Sequence, residues 1–450
     1  MSVISPLSGS ESAPEALDIF RMYPNQVAVQ NYYQEDIRPV SQFGGIDAPL
    51  EFETSLQGDS YCELPSSRLF VRAQILNADG TACSEDVKIS PCDLFFHSMF
   101  KKVDIYMNRT LVSSSGDLYP YKSFFNKLFR CGVNTGNGTL SESELFSGND
   151  SGFPAETNPN AGNFSLFQRY KVGRGSKPFD MVGLPLNDLM ELDRYLINGV
   201  HLRIVLHRNS AEFCLISDED NNNGGYQVKL LDCYLRILKC KPNPAILVAH
   251  SKVHKGLTAK YPYIRTETKS ANIASGQSVF SWDHINASYL PKLVIVSFAD
   301  SAAVLGSLKL NPFNMEHFDV RQISLYVNGI PCSGCPINVN YNQDLTAEVF
   351  DRMYGFGKGR PLYTAMGGIS GKDRGNVGIN RADLKNGRAI YVFDLAPIIE
   401  EPFHFELQHS GTLSMHVKFG SSLAQNVACI FYAEYDALME IDETRGVKIV

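Results

Sequence analysis

Apolar and polar residues alternate along most of this 450-residue chain, in runs of five to ten residues bounded by Gly, Asn, Asp, Ser or Pro. A period of two puts neighbouring side chains on opposite faces of an extended backbone, which is typical of β-strands. Helical periodicity is limited to short segments at 115–129, 185–197 and 343–356. The predicted strands span residues 50–56, 67–76, 102–112, 200–207, 226–239, 261–270, 292–300, 320–329, 389–395, 412–419 and 427–439.

The pattern occurs twice in the same order, at an offset of about 220 residues. VDIYMN, which begins at Val103, matches ISLYVN, which begins at Ile323, and a short helical segment follows each. Flanking segments match as well: 68–80 with 292–302, and 200–207 with 412–419. Any two β segments share apolar alternation, so chance resemblance is the alternative. Four matches in one order favour a duplicated β domain.

The duplication predicts two domains, residues 1–243 and 244–450, each the size of one large β sandwich. Pro242 and Pro244 flank the boundary and break the preceding strand. Because this junction is short, we expect the two sandwiches to pack side by side. The predicted fold is all-β: two tandem β sandwiches, with short helices and long loops.

Composition narrows the range of functions. Aromatic residues make up 11% of the chain and charged residues only 20%, which suits broad contact interfaces better than long solvated helices. A net charge of −7 argues against a protein that condenses nucleic acid by bulk charge. The first twenty residues lack a signal-peptide pattern and no run reaches 18 apolar residues, so we expect a soluble protein made in the cytosol with reduced cysteines.

Three segments interrupt the β pattern: residues 131–165, rich in Gly, Asn and Ser; residues 217–225, an acidic hairpin tip; and residues 355–378, rich in Gly and Lys or Arg. We expect them at the surface, because they show little apolar periodicity. The first and third follow the helical segment of their own half. These two are expected to include the most mobile parts of the chain.

Candidate phosphate and metal motifs each lack a required residue. Residues 367–375 enclose three residues between glycines where a phosphate loop needs four, and Asp373 stands where that motif has Ser or Thr. Residues 355–359 are too short for a dinucleotide fingerprint and are predicted to form a loop. Cys332 and Cys335 form a C-x-x-C pair without a second ligand pair, and a turn is the simpler interpretation.

The histidines, like the phosphate-loop and C-x-x-C candidates, do not fit a catalytic or metal-binding motif. His250 and His254 have helical spacing but flank Ser-Lys-Val, so a solvated pair is predicted. His201 and His207 share one strand face, yet the H-x-H of a double-sandwich metal enzyme is missing from the sequence. No G-x-S-x-G nucleophile motif occurs either. The sequence therefore predicts no catalytic residue, no cofactor-binding residue, no metal site and no enzyme.

The chain resembles the double jelly-roll major capsid proteins of Polinton/Maverick elements and the adintovirus-like viruses of animals. The resemblance is carried by extent and order, because no segment is a catalytic signature. The resembling segments are residues 67–80, 93–108, 111–124, 188–208, 259–270, 311–329 and 427–442.

The resemblance implies two tandem eight-stranded jelly rolls per chain and a homotrimeric, pseudo-hexameric capsomer that tiles an icosahedral shell around double-stranded DNA, without sequence-specific binding. In such a trimer, residues 131–165 and 355–378 would project from the outer end. Its implied partners are further copies of itself, penton proteins and minor capsid proteins. Its implied location is the virion, after synthesis in the host cytosol. The principal alternative is a double-sandwich carbohydrate-binding or deglycosylating protein, against which the missing secretion signal weighs. A minor capsid protein would typically be a shorter single jelly roll.

Overall fold

A computed structural model of the chain describes residues 19–20, 22, 25–40, 48–130, 141–148, 150–218, 225–286, 289–332, 334–359, 379–395 and 409–449. Strands dominate, as the alternating pattern predicts. In the first half the strands are β1 Val29–Ile37, β2 Leu50–Ser55, β3 Tyr61–Asn77, β4 Ile89–Pro91, β5 Phe100–Met107, β6 Thr110–Ser114, β7 Phe179–Gly183, β8 His201–Arg208, β9 Leu215–Ser217 and β10 Tyr226–Pro242.

The second half repeats this arrangement. Its strands are β11 Ala259–Ile273, β12 Val279–Asn286, β13 Leu293–Asp300, β14 Val320–Val327, β15 Ile330–Pro331, β16 Ile337–Asn338, β17 Ile390–Asp394, β18 Leu413–Phe419, β19 Val427–Ile441 and β20 Val447–Ile449. The α-helices are α1 Phe95–Ser98, α2 Tyr119–Arg130, α3 Ser141–Ser143, α4 Phe164–Gly173, α5 Ala211–Cys214, α6 Pro244–His254, α7 Ser301–Leu305 and α8 Ala347–Gly359. Short 3-10 turns lie at Asp150–Gly152, Arg174–Ser176, Asp188–Glu191, Tyr341–Gln343 and Arg381–Leu384.

Each half is a sandwich of two antiparallel four-stranded sheets. In the first half the sheet orders are β1-β10-β3-β7 and β2-β8-β5-β6. In the second they are β11-β19-β13-β17 and β12-β18-β14-β15, with β20 added beside β19 and β16 beside β14. The two sets correspond strand for strand along the chain. The predicted fold, two tandem eight-stranded jelly rolls, is confirmed.

The repeated Tyr-x-Asn motif occupies the same hairpin in both halves. Asn108 follows β5 with a φ of 49°, and Asn328 follows β14 with a φ of 51°. Each uses its side-chain oxygen to accept a hydrogen bond from the backbone of the neighbouring strand, from His201 N at 2.8 Å and from Thr412 N at 2.9 Å. Asn tolerates the left-handed region and bonds locally in turns, which explains its presence at both tips.

The structure differs from the sequence expectations in places that have simple causes. The predicted strand 102–112 is two strands, because the turn at Asn108 divides β5 from β6. Strand β1 was not predicted, since most of its side chains are polar or exposed. The segment 185–197 forms only the 3-10 turn Asp188–Glu191, whereas helices at α2 and α8 are present as expected.

The junction also contains an unexpected helix. β10 ends at Pro242 as predicted, but α6 begins two residues later, with Asn243 accepting a hydrogen bond from Ala245 N at 3.0 Å. Pro244 suits the first helical position, where no intrahelical N–H bond is needed. None of the residues of α6 is buried in the chain.

Helix α2 belongs to the first jelly roll and packs against the second. Phe124 stacks on Phe313 with ring centroids 4.8 Å apart, and Phe125 meets Tyr432 at 5.8 Å. The Tyr121 hydroxyl donates to the backbone oxygen of Pro312 at 3.0 Å. Aromatic rings of this size contribute much of the apolar area in a core. Both jelly rolls therefore share one continuous hydrophobic core.

Candidate assembly site: the seam between the jelly rolls and the exposed faces

Buried ion pairs line the seam between the two jelly rolls beside α2. Lys122 contacts Asp188 at 2.6 Å, and both side chains are almost fully buried. The same carboxylate accepts bonds from Thr266 of β11, from its N at 3.0 Å and its hydroxyl at 2.7 Å. A buried carboxylate needs several partners to offset its desolvation. Here the partners come from both jelly rolls, so the pair fixes their relative position.

Arg130, at the end of α2, makes a second charged link. Its guanidinium contacts Glu191 of the first jelly roll and Glu434 of the second, each at 3.0 Å. Burial alone would lower the pKa of Arg130, but the two carboxylates outweigh it and raise the pKa. The Tyr432 hydroxyl donates to Glu434 at 2.8 Å. This arginine remains a cation that joins acidic groups on both sides of the seam.

The third link surrounds Asp150, which is fully buried. Asp150 contacts Arg169 at 2.6 Å and accepts a hydrogen bond from Asn311 at 2.9 Å. Burial would raise the pKa of Asp150, but the charges of Arg169 and Arg388 outweigh it and hold the pKa below its usual value. Arg388 is itself buried and donates to Gly148 O at 2.6 Å. Residues of the second jelly roll thus complete a charge cluster in the first.

This cluster corrects the surface prediction for residues 131–165. Within the part that the structure describes, Phe146 and Leu145 are core residues, and Glu144 and Asp150 are buried. Apolar periodicity missed them because the buried carboxylates are matched by cations from distant positions, such as Arg169 and Arg388. Residues 131–140, 149 and 219–224 lie outside the described residues.

Glu144 organises a neighbouring buried network. Its carboxylate contacts Lys127 at 3.0 Å and His97 at 3.2 Å, and His97 also bonds the Tyr119 hydroxyl at 2.7 Å. Burial opposes the charge on Glu144, but Lys127 and His97 outweigh it and lower its pKa to about 2. Burial also lowers the pKa of His97. The network ties α1, α2 and α3 together beneath the seam.

The C-x-x-C pair lies in a turn after β15. Cys335 N donates to Cys332 O at 3.0 Å, and Cys332 N donates to Leu325 O at 2.9 Å. Both thiols are free and half-buried, and burial raises the pKa of Cys332 to about 11. A high pKa disfavours the thiolate that metal binding and redox chemistry need. The turn interpretation agrees with this geometry.

Replacing Cys332 and Cys335 together with serine is expected to leave assembly unchanged, because neither thiol joins the seam. Size-exclusion chromatography with light scattering should give the wild-type mass, and elemental analysis should find no stoichiometric zinc in either protein. One zinc per chain, with assembly lost in the double variant, would instead identify a structural metal site.

The predicted solvated histidine pair lies on helix α6, none of whose residues is buried, and both imidazoles also make hydrogen-bond contacts. His250 Nδ1 lies 2.9 Å from the Tyr61 hydroxyl of the first jelly roll. His254 contacts the backbone oxygen of Leu257 at 3.1 Å and that of Asp442, beyond β19, at 2.9 Å. The pair therefore attaches helix α6 to both jelly rolls. The sequence signal was present as helical spacing, but its partners are distant in the chain.

The remaining candidates are not brought together. His201 lies 4.0 Å from Glu53 and His207 lies 3.3 Å from Asp104, as separate pairs on β8. In the described ranges, no group of three His, Cys, Asp or Glu residues is arranged to hold a metal ion. Residues 355–359, expected to form a loop, are the last residues of α8. The phosphate-loop candidate at 367–375 lies outside the described residues.

Apolar side chains are exposed on several faces of the single chain. Strand β1 is a sheet edge with most of its side chains exposed, and α6 lies fully on the surface. Apolar residues that form a contiguous exposed patch mark contact surfaces, whereas scattered ones are common on any protein. No helix in the described part of the chain is long and apolar enough to cross a membrane. The large exposed apolar residues include Tyr32, Tyr33, Leu111, Phe153, Phe164, Leu231, Val248, Val253, Leu257, Tyr289, Leu305, Ile330 and Leu345.

Several solved structures with this arrangement come from viruses. A chain in the 3.5 Å cryo-EM structure of the Sputnik virophage superposes with a TM-score of 0.60 and 12% identity, covering 100% of this chain and 94% of that one. The chain has the double jelly-roll fold. The mavirus major capsid protein shares this double jelly roll at a TM-score of 0.53 and 12% identity, over 100% of this chain and 97% of that one.

A third neighbour, the Faustovirus major capsid protein, has a TM-score of 0.51 and 9% identity, covering 94% of this chain and 92% of the other. The sequence of this chain is similar to that of the uncharacterized protein F54H12.2 of Caenorhabditis elegans, at 22% identity over 415 residues. The match covers 89% of this chain and 93% of that protein. No family model matches the chain.

Proposed function

We propose that this chain is a major capsid protein that assembles as a homotrimeric, pseudo-hexameric capsomer. The observation that carries the proposal is the paired jelly roll, equivalent strand for strand and joined by a buried charged seam. Three such chains place six similar sandwiches in a ring, which lets a three-fold assembly occupy a six-fold lattice position. Likeness to capsid proteins over nearly the whole chain supports the same role.

The rigid seam is what such a role needs. A subunit whose two jelly rolls swung independently would not present its outer faces at fixed angles to its neighbours. Asp188, Arg130 and Arg388 each contact groups from both jelly rolls. The exposed apolar residues then lie at fixed positions on the outside, available for contacts between copies.

The wider proposal follows the sequence resemblance. The chain would belong to the Polinton/Maverick and adintovirus-like group, reside in the virion after synthesis in the host cytosol, and enclose double-stranded DNA without reading its sequence. Penton and minor capsid proteins would be its partners, and it would have no enzymatic activity. Its domains would be residues 1–243 and 244–450, a division supported by the end of β10 at Pro242.

Purified full-length protein is expected to form a stable trimer, because exposed apolar faces on a rigid subunit favour large permanent contacts. Light scattering should give three times the 50.0 kDa chain mass, and negative-stain microscopy should show three-fold particles with six lobes. A stable monomer at micromolar concentration would contradict the proposal. Saturable binding of an oligosaccharide by that monomer would favour the carbohydrate-binding alternative.

A further inference from the structure

A cavity of about 470 Å³ lies where helix α6 meets the ends of both jelly rolls. Its walls include Tyr61 at the start of β3, Tyr261 near the start of β11, and the turn that contains Arg194. Arg445, just before β20, forms another part of the wall. This volume is within the range of sites that bind small molecules or short peptide segments. None of the capsid contacts proposed above requires it.

The cavity lining is basic. Arg194, Lys260 and Arg445 line it, whereas no Asp or Glu is among its described lining residues. Lys260 also contacts Glu440, outside the lining, at 3.7 Å. Arg445 Nη2 donates to Asn198 at 3.0 Å, but its Nη1 is buried and has no hydrogen-bond partner. The basic lining favours an anionic occupant, most simply a carboxylate.

One wall of the cavity is apolar and open to solvent. Leu247, Val253 and Leu257 line this side, and Val253 and Leu257 are 58% and 66% exposed. Tyr61 and Tyr261 add aromatic surface. A complementary occupant has carboxylates close to apolar side chains, which is the composition of an acidic, amphipathic peptide segment.

The chain itself contains such a segment. Residues 11–20, ESAPEALDIF, carry three carboxylates next to Leu17, Ile19 and Phe20, and no Lys or Arg occurs before position 21. Ile19 and Phe20 are 76% and 92% exposed, so the single chain leaves their apolar surface uncovered.

The residues that follow this segment lie next to helix α6, which forms part of the cavity wall. Asn243, which caps α6, donates to Ala28 O at 2.8 Å and to Val27 O at 3.3 Å, so the chain leaves β1 beside the start of this helix. Nine residues from Val27 to Asp18 can span about 30 Å, and the 11 residues of α6 extend only about 16 Å. The chain between Asp18 and Val27 is therefore long enough for residues 11–20 to enter the cavity.

We propose that this cavity is the docking site for residues 11–20 of the chain, with Glu15 or Asp18 bound by Arg445 and Arg194 and with Leu17, Ile19 and Phe20 against the apolar wall. The segment can come from the same copy or from a neighbouring one, and the proposal does not depend on the capsid role. Docking places these carboxylates beside Arg194 and Arg445 and covers the exposed apolar residues.

A photo-crosslinking experiment on the full-length protein tests this docking. With p-benzoylphenylalanine in place of Phe20, irradiation should give crosslinks that mass spectrometry maps to residues 194–198, 247–261 or 445. Mixing isotopically labelled and unlabelled chains before irradiation distinguishes links within one copy from links between copies, and either result supports docking. Crosslinks scattered over the surface, or no crosslinks, would refute it.

Charge reversal makes the test specific to the cavity. The variants Arg194→Glu and Arg445→Glu, made singly and together, should reduce the crosslink yield at least tenfold in the double variant. Adding Glu15→Lys and Asp18→Lys to that double variant should restore much of the yield, whereas the control Arg174→Glu, an exposed arginine outside the cavity, should not change it. Because restoration requires a folded cavity, it separates lost docking from lost folding. Unchanged yield in a folded double variant would overturn the proposal.

Discussion

Replacing Arg388 with methionine is expected to lower the free energy of unfolding by about 3–5 kcal/mol. Methionine keeps much of the aliphatic volume of this fully buried side chain but removes its charge. The carbonyls of Gly148 and Phe313 then lose their donors, and the buried Asp150 loses one of the two cations that hold its pKa down. Such a loss is a large fraction of the free energy of unfolding of a typical domain.

Chemical denaturation at pH 7, followed by the fluorescence of Trp282, measures this effect, at one protein concentration for all variants. Arg174→Met is the matched control, because the Arg174 side chain is 47% exposed and makes only exposed contacts with Glu85: 3.6 Å to its carboxylate and 2.9 Å to its backbone oxygen. Exposed pairs of this kind contribute about 0–1 kcal/mol. If Arg388→Met lost no more stability than the control, the seam would not depend on this arginine.

Glu144→Gln is expected to cost about 3 kcal/mol at pH 7 and to flatten the acid end of the stability profile. Glutamine preserves the shape, but a neutral amide cannot offset the charge of Lys127 or accept equally from His97. The pKa of Glu144 falls from 4.5 to about 2 on folding. Its contribution is therefore complete above pH 4.5 and is lost as the pH falls from 4.5 towards 2.

His97 acts in a separate pH range. Burial lowers its pKa below 6.5, so the unfolded chain takes up a proton that the folded chain refuses, and stability decreases as the pH falls through 6.5. Thermal melting at pH 7.5, 5.5 and 3.5 should show both losses of stability in the wild type. In Glu144→Gln it should show mainly the loss between pH 7.5 and 5.5, which comes from His97. Glu85→Gln, at a side chain that is 77% exposed, should follow the wild type. A variant profile parallel to the wild type down to pH 3 would contradict this role for Glu144.

The repeated hairpin shows why the fold was accessible from sequence. Tyr106 and Asn108 match Tyr326 and Asn328 at one offset because both asparagines meet the same local requirement, a left-handed turn that bonds the adjacent strand. Strands with an alternating pattern, such as β8 and β18, were located for the same reason: one face is buried. Turn preferences and the alternation of buried and exposed residues were together enough to predict the duplicated architecture.

The seam was not accessible in this way. Asp188 pairs with Lys122 and Thr266, and Asp150 with Arg169 and Asn311, so each site joins residues that are far apart in the chain. Composition and hydrophobic periodicity describe residues that are close in the sequence, and they do not identify partners that are far apart in the chain. An acidic residue in a Gly- and Asn-rich segment is usually solvated, and only the three-dimensional contacts distinguish Asp150 from the rest.

The buried Asp150 has a consequence for the order of events on the ribosome. The last strand of the first jelly roll ends at Pro242, but Asn311 and Arg388 are still to be translated when it emerges. At roughly 5–20 residues per second, Arg388 follows Pro242 by about 7–30 seconds. During that interval the nascent first jelly roll holds a carboxylate cluster with only part of its positive charge. Completion of its interior waits for the second jelly roll, which makes the two halves of the chain a single unit of biogenesis.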